Sequence, residues 1–460
     1  MERRQQPPHR TPSLAERYHI EHIDDKGRHT GPANRHAEPQ PRHGQPRNGQ
    51  VRNGQPQRRK KVKKPWTFKR VMLRIIVPIL LVLVILIGGA YIGYQQYKKY
   101  LFSKIEFIPK QENPTFINEE GSVVSLVHYT SETSEAPVEE DYIHNFLLIG
   151  IDSRDRNYSD DGSGSLADVI MVMSVDDKAG TIKLVTIQRD CYVSIPGHKK
   201  LQKINAAMTY GGPELLSAVV ESHLRLTLDG YAFVNFYHME QVIDAVGGVD
   251  IELTKSEVFH TPGGLNDNLR DQNRLHGDSD SAYTLSEAGL QHLNGRQAVA
   301  YSRIRQVGNG IYGRSERQVK VLNALLEKFA NLSTTSKLSA LDDILSMIAT
   351  NISPDEIEDY AFEFLPKVRD LKLLTMGIPV EGYSVEGFFS DDVREGDWSI
   401  RCDWNGMIPI VQEFFYGETY PFDPVEEIPR APQHEVDFST GKNLDYEAEK
   451  ANPTKSDSDS

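Results

Sequence analysis

Three apolar runs separated by polar turns limit what this chain can fold into. Phe146-Leu-Leu-Ile-Gly-Ile151 leads into Asp152, and a loop rich in Gly and Asp follows. Asp168 opens the second run, Val169 to Met173. A turn at Asp176-Asp-Lys-Ala-Gly180 leads to the third, Ile182 to Ile187, which ends in Gln188-Arg189-Asp190. Each run is of strand length, apolar and bounded by turn residues, so three strands are expected. If the first two are antiparallel neighbours and the second and third form a hairpin, three strand ends meet at one rim. Asp152, Asp168 and Arg189 then converge. Two carboxylates beside an arginine suit a hard divalent cation and a phosphate-bearing ligand. The alternative is that the two aspartates simply end one strand and begin the next.

A chain of 460 residues holds one large domain or two to three ordinary ones. Its charge is divided unevenly. Residues 1–70 contain 18 Lys and Arg against 6 Asp and Glu, and the remainder contains 34 against 59. An acidic body argues against general nucleic-acid binding, which depends on Lys and Arg neutralising phosphates. Cys191 and Cys402 are the only cysteines, too few for a disulfide scaffold or a Cys-x-x-Cys zinc site. They read as two unpaired buried thiols or as one long-range disulfide.

Residues 1–64 are rich in Arg, Gln, Pro, Gly and His. Such a composition buries too little apolar surface to offset ordering entropy, so disorder is expected. The histidines of this arm lack regular ligand spacing. The basic run Arg58-Arg-Lys-Lys-Val-Lys-Lys64 then abuts twenty uncharged residues, Ile75 to Tyr94. Twenty helical residues rise about 30 Å, the thickness of a bilayer core. The Lys and Arg excess before them places that end in the cytoplasm, and the basic run beside the span suits anionic lipid. A cleaved signal peptide has a shorter preface and a shorter apolar core. We therefore expect a single-pass anchor with the body outside the cell.

Beyond the span, a Ser/Glu/Thr/Pro stretch suggests a stalk, with edge strands drawn from Ser122 to Val127. Pro213 suits the first turn of a helix whose stripe is Leu215, Leu216, Val219, Val220 and Leu224. Tyr231 to Asn235 reads as a strand, Phe236 to Val246 as a helix, and Val249 to Leu253 as a strand. The alternation indicates an α/β body with helices covering a sheet. Residues 254–285 show no clear periodicity and read as a long loop, either functional or an ordinary insertion. Helices follow at Val299 to Arg305, Arg314 to Leu332 and Leu338 to Ile348. Another opens at the capping box Ser353-Pro-Asp-Glu356. Leu371 to Pro379 reads as a strand and Ile408 to Tyr416 as the last helix.

Arg314, Arg317 and Gln318 share one face of a first helical turn. Cations there oppose the helix dipole unless an anion is bound, and helix N-termini suit phosphate. With Arg303 and Arg305 just upstream, anion binding is favoured over pairing with Glu316 on a solvated surface.

These motifs, in order, resemble the LytR-CpsA-Psr family of membrane-anchored cell-wall ligases. The residues that carry the resemblance are Leu148-Ile-Gly-Ile-Asp-Ser-Arg154, Ala167-Asp168, Ile187-Gln-Arg-Asp190 and Lys203-Ile-Asn-Ala-Ala207 with Tyr210-Gly-Gly212. Val246-Gly-Gly-Val-Asp250, Tyr301-Ser-Arg-Ile-Arg305 and Gly313-Arg-Ser-Glu-Arg-Gln318 continue it. The resemblance implies an α-β-α fold, a central mixed sheet flanked by helices, on a single N-terminal transmembrane helix. The expected divisions are a disordered basic cytoplasmic arm (1–70), a transmembrane helix (71–95), an extracytoplasmic stalk (96–143), the catalytic domain (144–420) and a disordered acidic tail (421–460).

The implied activity is phosphotransfer of an anionic glycopolymer, of teichoic acid or capsular type, from a polyprenyl-pyrophosphate carrier to peptidoglycan. By the resemblance, Asp152 and Asp168 hold Mg²⁺, and Arg189, Arg303, Arg305 and Arg314 clamp the pyrophosphate. Lys203, Arg317 and Gln318 lie close by, and Asp190 is either a substitute base or a structural partner of Arg189. Leu166 and Ile311 stand where the family commonly has an arginine and an acid. The competing expectations are a non-catalytic polyprenyl-phosphate-binding regulator or scaffold, and a polyprenyl-pyrophosphate phosphatase.

Overall fold

The computed structural model describes residues 77–126, 142–152, 164–388, 398–422 and 425, apart from 112, 119, 309, 365, 366, 368 and 371. It also describes two short strands, Val436–Asp437 and Lys442–Asn443. The basic arm, the loop 153–163 and most of the acidic tail, with the disorder expected of arm and tail, lie outside the described residues.

Helix α1 (Val77–Phe102) covers most of the expected span. Among the described residues, no helix is long and apolar enough to cross a membrane. The stretch expected as a stalk supplies β1 (Glu106–Phe107) and the hairpin β2–β3 (Thr115–Ile117, Val123–Ser125). The hairpin strands pair only with each other, not as edges of the main sheet, because Phe116 and Leu126 turn into the core instead.

The three apolar runs form β4 (Ile143–Ile151), β5 (Ala167–Asp176) and β6 (Thr181–Ile187). Both expected antiparallel pairings are present. Near-continuous apolar sequence is what a strand covered on both faces requires. Leu147, Ile151, Ile170, Val172 and Val185 are accordingly fully buried. Each such side chain contributes on the order of 1.5–3 kcal/mol.

After the two-residue strands β7 (Tyr192–Val193) and β8 (Gln202–Lys203) comes α2 (Ala206–Leu224). It is two helical pieces joined at Gly211-Gly212, where Gly212 adopts φ +64°, and Pro213 opens the second piece as expected. Strand β9 (Gly230–Asn235) and helix α3 (Phe236–Ala245) lead to β10 (Val249–Leu253).

The region expected as a long loop is instead helical, with α4 (Lys255–Phe259) and α5 (Leu265–His276). The buried face of α5 is Leu265, Leu269, Gln272 and Asn273, so half of its core stripe is polar and the apolar period is hidden. Strand β11 (Gly289–Leu293), also not foreseen, pairs with β10. Helix α6 (Gly295–Ser302) follows.

Helix α7 spans Gly310–Asn331, starting a full turn before the expected Arg314. Helix α8 (Thr334–Ile344) passes through a 3-10 turn, Leu345–Met347, into β12 (Ala349–Thr350). Helix α9 (Pro354–Phe364) carries the expected capping box: Ser353 Oγ accepts the Glu356 N–H at 3.2 Å, and Glu356 accepts the Ser353 N–H at 2.8 Å. The chain closes with β13 (Lys372–Ile378), the hairpin β14–β15 (Ser384–Phe388, Trp398–Cys402) and α10 (Trp404–Tyr416).

The main sheet is mixed, in the order β1-β12-β9-β4-β5-β6-β13. Helices α2 and α10 pack on one face through Leu215, Leu216, Val219, Trp404 and Phe415. On the other, Tyr360 of α9 sets its ring edge to His144 and Phe146 of β4. A second core joins α3, β10, β11 and α4 to α7 around Ile243, Leu265, Leu269, Leu293 and Tyr301. Cys191 and Cys402 are free and buried.

Candidate functional site

The rim of the sheet forms as the antiparallel pairings dictate. Gly150 pairs with Val169 but Ile151 pairs with Ala167, so Asp168 is the extra residue of a bulge. Bulges re-aim side chains. Only glycine fits at position 150, where a Cβ would come within 2.9 Å of the Val169 side chain. Asp152 follows the end of β4, its N–H bonded to the Leu166 carbonyl at 3.2 Å. Leu166 is 46% exposed, an apolar group at the position where the resemblance implies an arginine.

Asp168 is buried and bonded to Arg189, and Arg305 Nη2 lies 3.7 Å from its other oxygen. Behind Arg189 stands Asp190, 3.4 Å from Arg189 Nε and 3.1 Å from Lys203 Nζ. The pairing Arg189–Asp190 is thus present in the fold. Asp190 holds two cations in place, and burial of Arg189 is outweighed by the two carboxylates, which raise its pKa.

The remaining arginines arrive from the turn between α6 and α7, which carries Arg303 and Arg305, and from α7 itself, which carries Arg314 and Arg317. Arg303 caps α6, its N–H bonded to the Ala300 carbonyl, and its guanidinium lies 5.1 Å over the Phe236 ring. Arg317, expected among the substrate contacts, points elsewhere. Its guanidinium bonds Glu257 at 2.9 Å and the carbonyls of Ile304 and Val307 at 3.3 and 2.8 Å. Glu257 is itself fixed by the α4 capping box with Thr254. Arg317 therefore pins the turn that carries Arg303 and Arg305.

One cavity of about 330 Å³ gathers Asp152, Asp168, Arg303, Arg305, Arg314 and Gln318, with Phe236, Gly263, Asn268 and Gln306 completing its wall. Arg189 reaches this lining through its bond to Asp168, and Asp190 ties Arg189 to Lys203. Arg314 is 3% exposed, and among the described residues its Nε and Nη1 have no hydrogen-bond partner. Burial, and then the guanidiniums of Arg189 and Arg305, pull its pKa down to about 10. Because α7 begins at Gly310, Arg314 opens the second turn, and the helix-dipole argument does not apply to it. What calls for an anion is a buried cation with unsatisfied donors beside other cations. Ile311 lies on α7, but its side chain is outside the described residues. Phe236, Asn268 and Gln306 were not foreseen, since single polar or aromatic residues in loops and helix starts carry no pattern.

A model of the LytR_cpsA_psr family matches residues 117–395. Polyisoprenyl-teichoic acid–peptidoglycan teichoic acid transferase TagU of Enterococcus faecalis is 30% identical over 248 residues, 52% of this chain and 73% of that protein. The Bacillus subtilis protein of the same name is 26% identical over 301 residues, 64% of this chain and 84% of its own. The crystal structure of B. subtilis TagV is similar at a TM-score of 0.45 and 24% identity, over 60% of this chain and 98% of that one.

Proposed function

The chain belongs to the LytR_cpsA_psr family, and we propose that it is a transferase that moves an anionic glycopolymer from a polyprenyl-pyrophosphate carrier to peptidoglycan. The observation that carries the reading is Arg314, a buried guanidinium with unpartnered nitrogens in a cavity shared with Arg303 and Arg305. Phosphoryl transfer asks a protein mainly for positioning and charge neutralisation. Arg303, Arg305 and Arg314 bind the pyrophosphate oxygens and stabilise charge as an acceptor hydroxyl oxygen bonds to phosphorus, polyprenyl phosphate leaves, and the hydroxyl proton passes to solvent or to the leaving phosphate. Arg189 orients Asp168, and Arg317 holds the arginine-bearing turn.

Asp152 and Asp168 offer two carboxylates to one cavity, and no third His, Cys, Asp or Glu joins them among the described residues. That donor set fits Mg²⁺, which is commonly bound by one or two carboxylates plus substrate phosphates. Bound there, Mg²⁺ would neutralise pyrophosphate charge. The uncharged stretch Ile75 to Tyr94, with Lys and Arg before it, supports a single-pass anchor, a cytoplasmic N-terminus and an extracytoplasmic body.

The test is an incubation of the full-length protein in detergent micelles with lipid-linked glycopolymer, Mg²⁺ and a peptidoglycan oligomer. Linked product is the expected outcome. Polyprenyl phosphate and glycopolymer phosphate without linkage would indicate a pyrophosphatase, and binding without either product a scaffold or regulator. Asp152→Asn is expected to abolish Mg²⁺-dependent turnover; a wild-type rate would remove Asp152 from the metal site.

A further inference from the structure

The first turn of α7 is held from two sides. Gly308 and Gly310, at its entry, adopt φ of +78° and +59°, so the backbone alone does not fix its direction. Side chains do. On one side Arg317 bonds Glu257 of α4 and the carbonyls of Ile304 and Val307. On the other, the Tyr312 hydroxyl donates to the Glu386 carboxylate of β14. Burial, and then that carboxylate, push the Tyr312 hydroxyl above its ordinary range, so it stays protonated and remains the donor. Tyr312 and Arg314 are two residues apart on one helix, about 200° around its axis, and side chains at that spacing do not face each other. Arg314 accordingly lines the arginine-rich cavity and Tyr312 does not.

The hairpin that receives Tyr312 also holds the other side of the site. Glu386 stands directly opposite Ile400 in the β14–β15 ladder. The Ile400 N–H donates to the Asp190 carbonyl at 3.0 Å, and Ile400 forms a parallel β-bridge with Cys191. Ile400 and Cys191 are both fully buried. Asp190 in turn bonds Arg189 and Lys203, and Arg189 bonds Asp168. One cross-strand pair thus touches both halves of the cationic lining. Ile400 steadies the turn with Arg189, and Glu386 steadies the helix with Arg314. The two contacts differ in character. That of Ile400 is buried backbone and belongs to the fold. Glu386 is exposed, and a hydrogen bond open to solvent adds little to stability. At the foot of a helix that carries an anion-binding arginine, such a bond is suited to fixing direction, because misplacement of about 1 Å is enough to slow a reaction.

We propose that Tyr312 and Glu386 form a positioning latch, which holds Arg314 in place across the cavity from the Asp168–Arg189 pair. The proposal rests on the phosphotransfer reading for its consequence in turnover, while its effect on anion binding stands alone. Tyr312 itself lies outside the cavity and acts through Arg314.

Full-length wild-type protein, Tyr312→Phe, Glu386→Ala, Glu386→Gln and the double variant Tyr312→Phe/Glu386→Ala are compared in micelles. Each is titrated with inorganic pyrophosphate, melted, and assayed for turnover of lipid-linked glycopolymer. Phe keeps the ring and loses only the hydroxyl. Tyr312→Phe and Glu386→Ala are each expected to weaken pyrophosphate binding about tenfold and to lower kcat by at least as much, with Tm within about 2 °C of wild type. Glu386→Gln keeps an acceptor and is expected to recover most of both losses. The double variant is expected to be no worse than either single one, because the two residues share one bond. Wild-type affinity in Tyr312→Phe, no recovery in Glu386→Gln, losses that add in the double variant, or a fall in Tm of several degrees with affinity intact overturns the latch. If wild type makes no linked product while Tyr312→Phe and Glu386→Ala still lose pyrophosphate affinity together, the phosphotransfer reading falls and the latch stands.

Discussion

Arg314 shows the conflict between folding and binding at the level of one side chain. A guanidinium buried without partners destabilises the fold, and an anion that satisfies it gains what folding lost. Arg314→Met is therefore expected to raise Tm while weakening polyprenyl-pyrophosphate binding by about 10- to 100-fold, measured by melts and by titration in micelles. His223 is buried for the opposite purpose. Its Nδ1 lies 2.8 Å from the Val219 carbonyl, and its Nε2 accepts the Ser194 N–H at 3.3 Å. Nδ1 thus donates and the ring is neutral, with burial pulling its pKa down to about 4 from 6.5. The folded chain resists protonation more than the unfolded one, so this stabilisation is complete above pH 6.5 and is lost as pH falls toward 4. The whole effect is on the order of 3 kcal/mol. His223→Gln should lower Tm at pH 7.5 yet flatten its decline through the acid range, a comparison two series of thermal melts would make.

Helix α6 shows how one residue sets the distance between elements. Asn294 and Gln297 form its capping box, and Gly295 begins it against α3. A Cβ at Gly295 would sit 1.8 Å from the Glu240 carbonyl oxygen. Gly295→Ala must push α3 away, and overpacking of backbone on backbone is expected to cost about 3 kcal/mol, read in urea melts. The same shift moves Phe236, so one substitution at α6 disturbs the wall of the arginine-lined cavity. Some elements were legible from sequence because their signals are local. Strands β4 to β6 have apolar runs between turns, and α9 has its capping box. Helix α5 was not, because Gln272 and Asn273 occupy half of the stripe that would have revealed it.

For the whole molecule, the proposed topology, with the body outside and the arm inside, makes a direct prediction. Protease added to intact cells is expected to degrade the chain beyond residue 100 and to spare an N-terminal fragment ending near the span. Protection of the body would reverse the topology. The sequence by itself determined the three-strand rim, since antiparallel neighbours leave Asp152, Asp168 and Arg189 only one place to meet. It also set Arg303, Arg305 and Arg314 close together in the chain, and all three line one cavity. Only the tertiary structure decided which guanidinium faces the cavity and which is spent on the fold. Arg314 and Arg317 are both buried and three residues apart, yet one has idle donors and the other bonds Glu257. That choice depends on what α4 brings within 3 Å, and such contacts between distant segments leave no mark in local sequence.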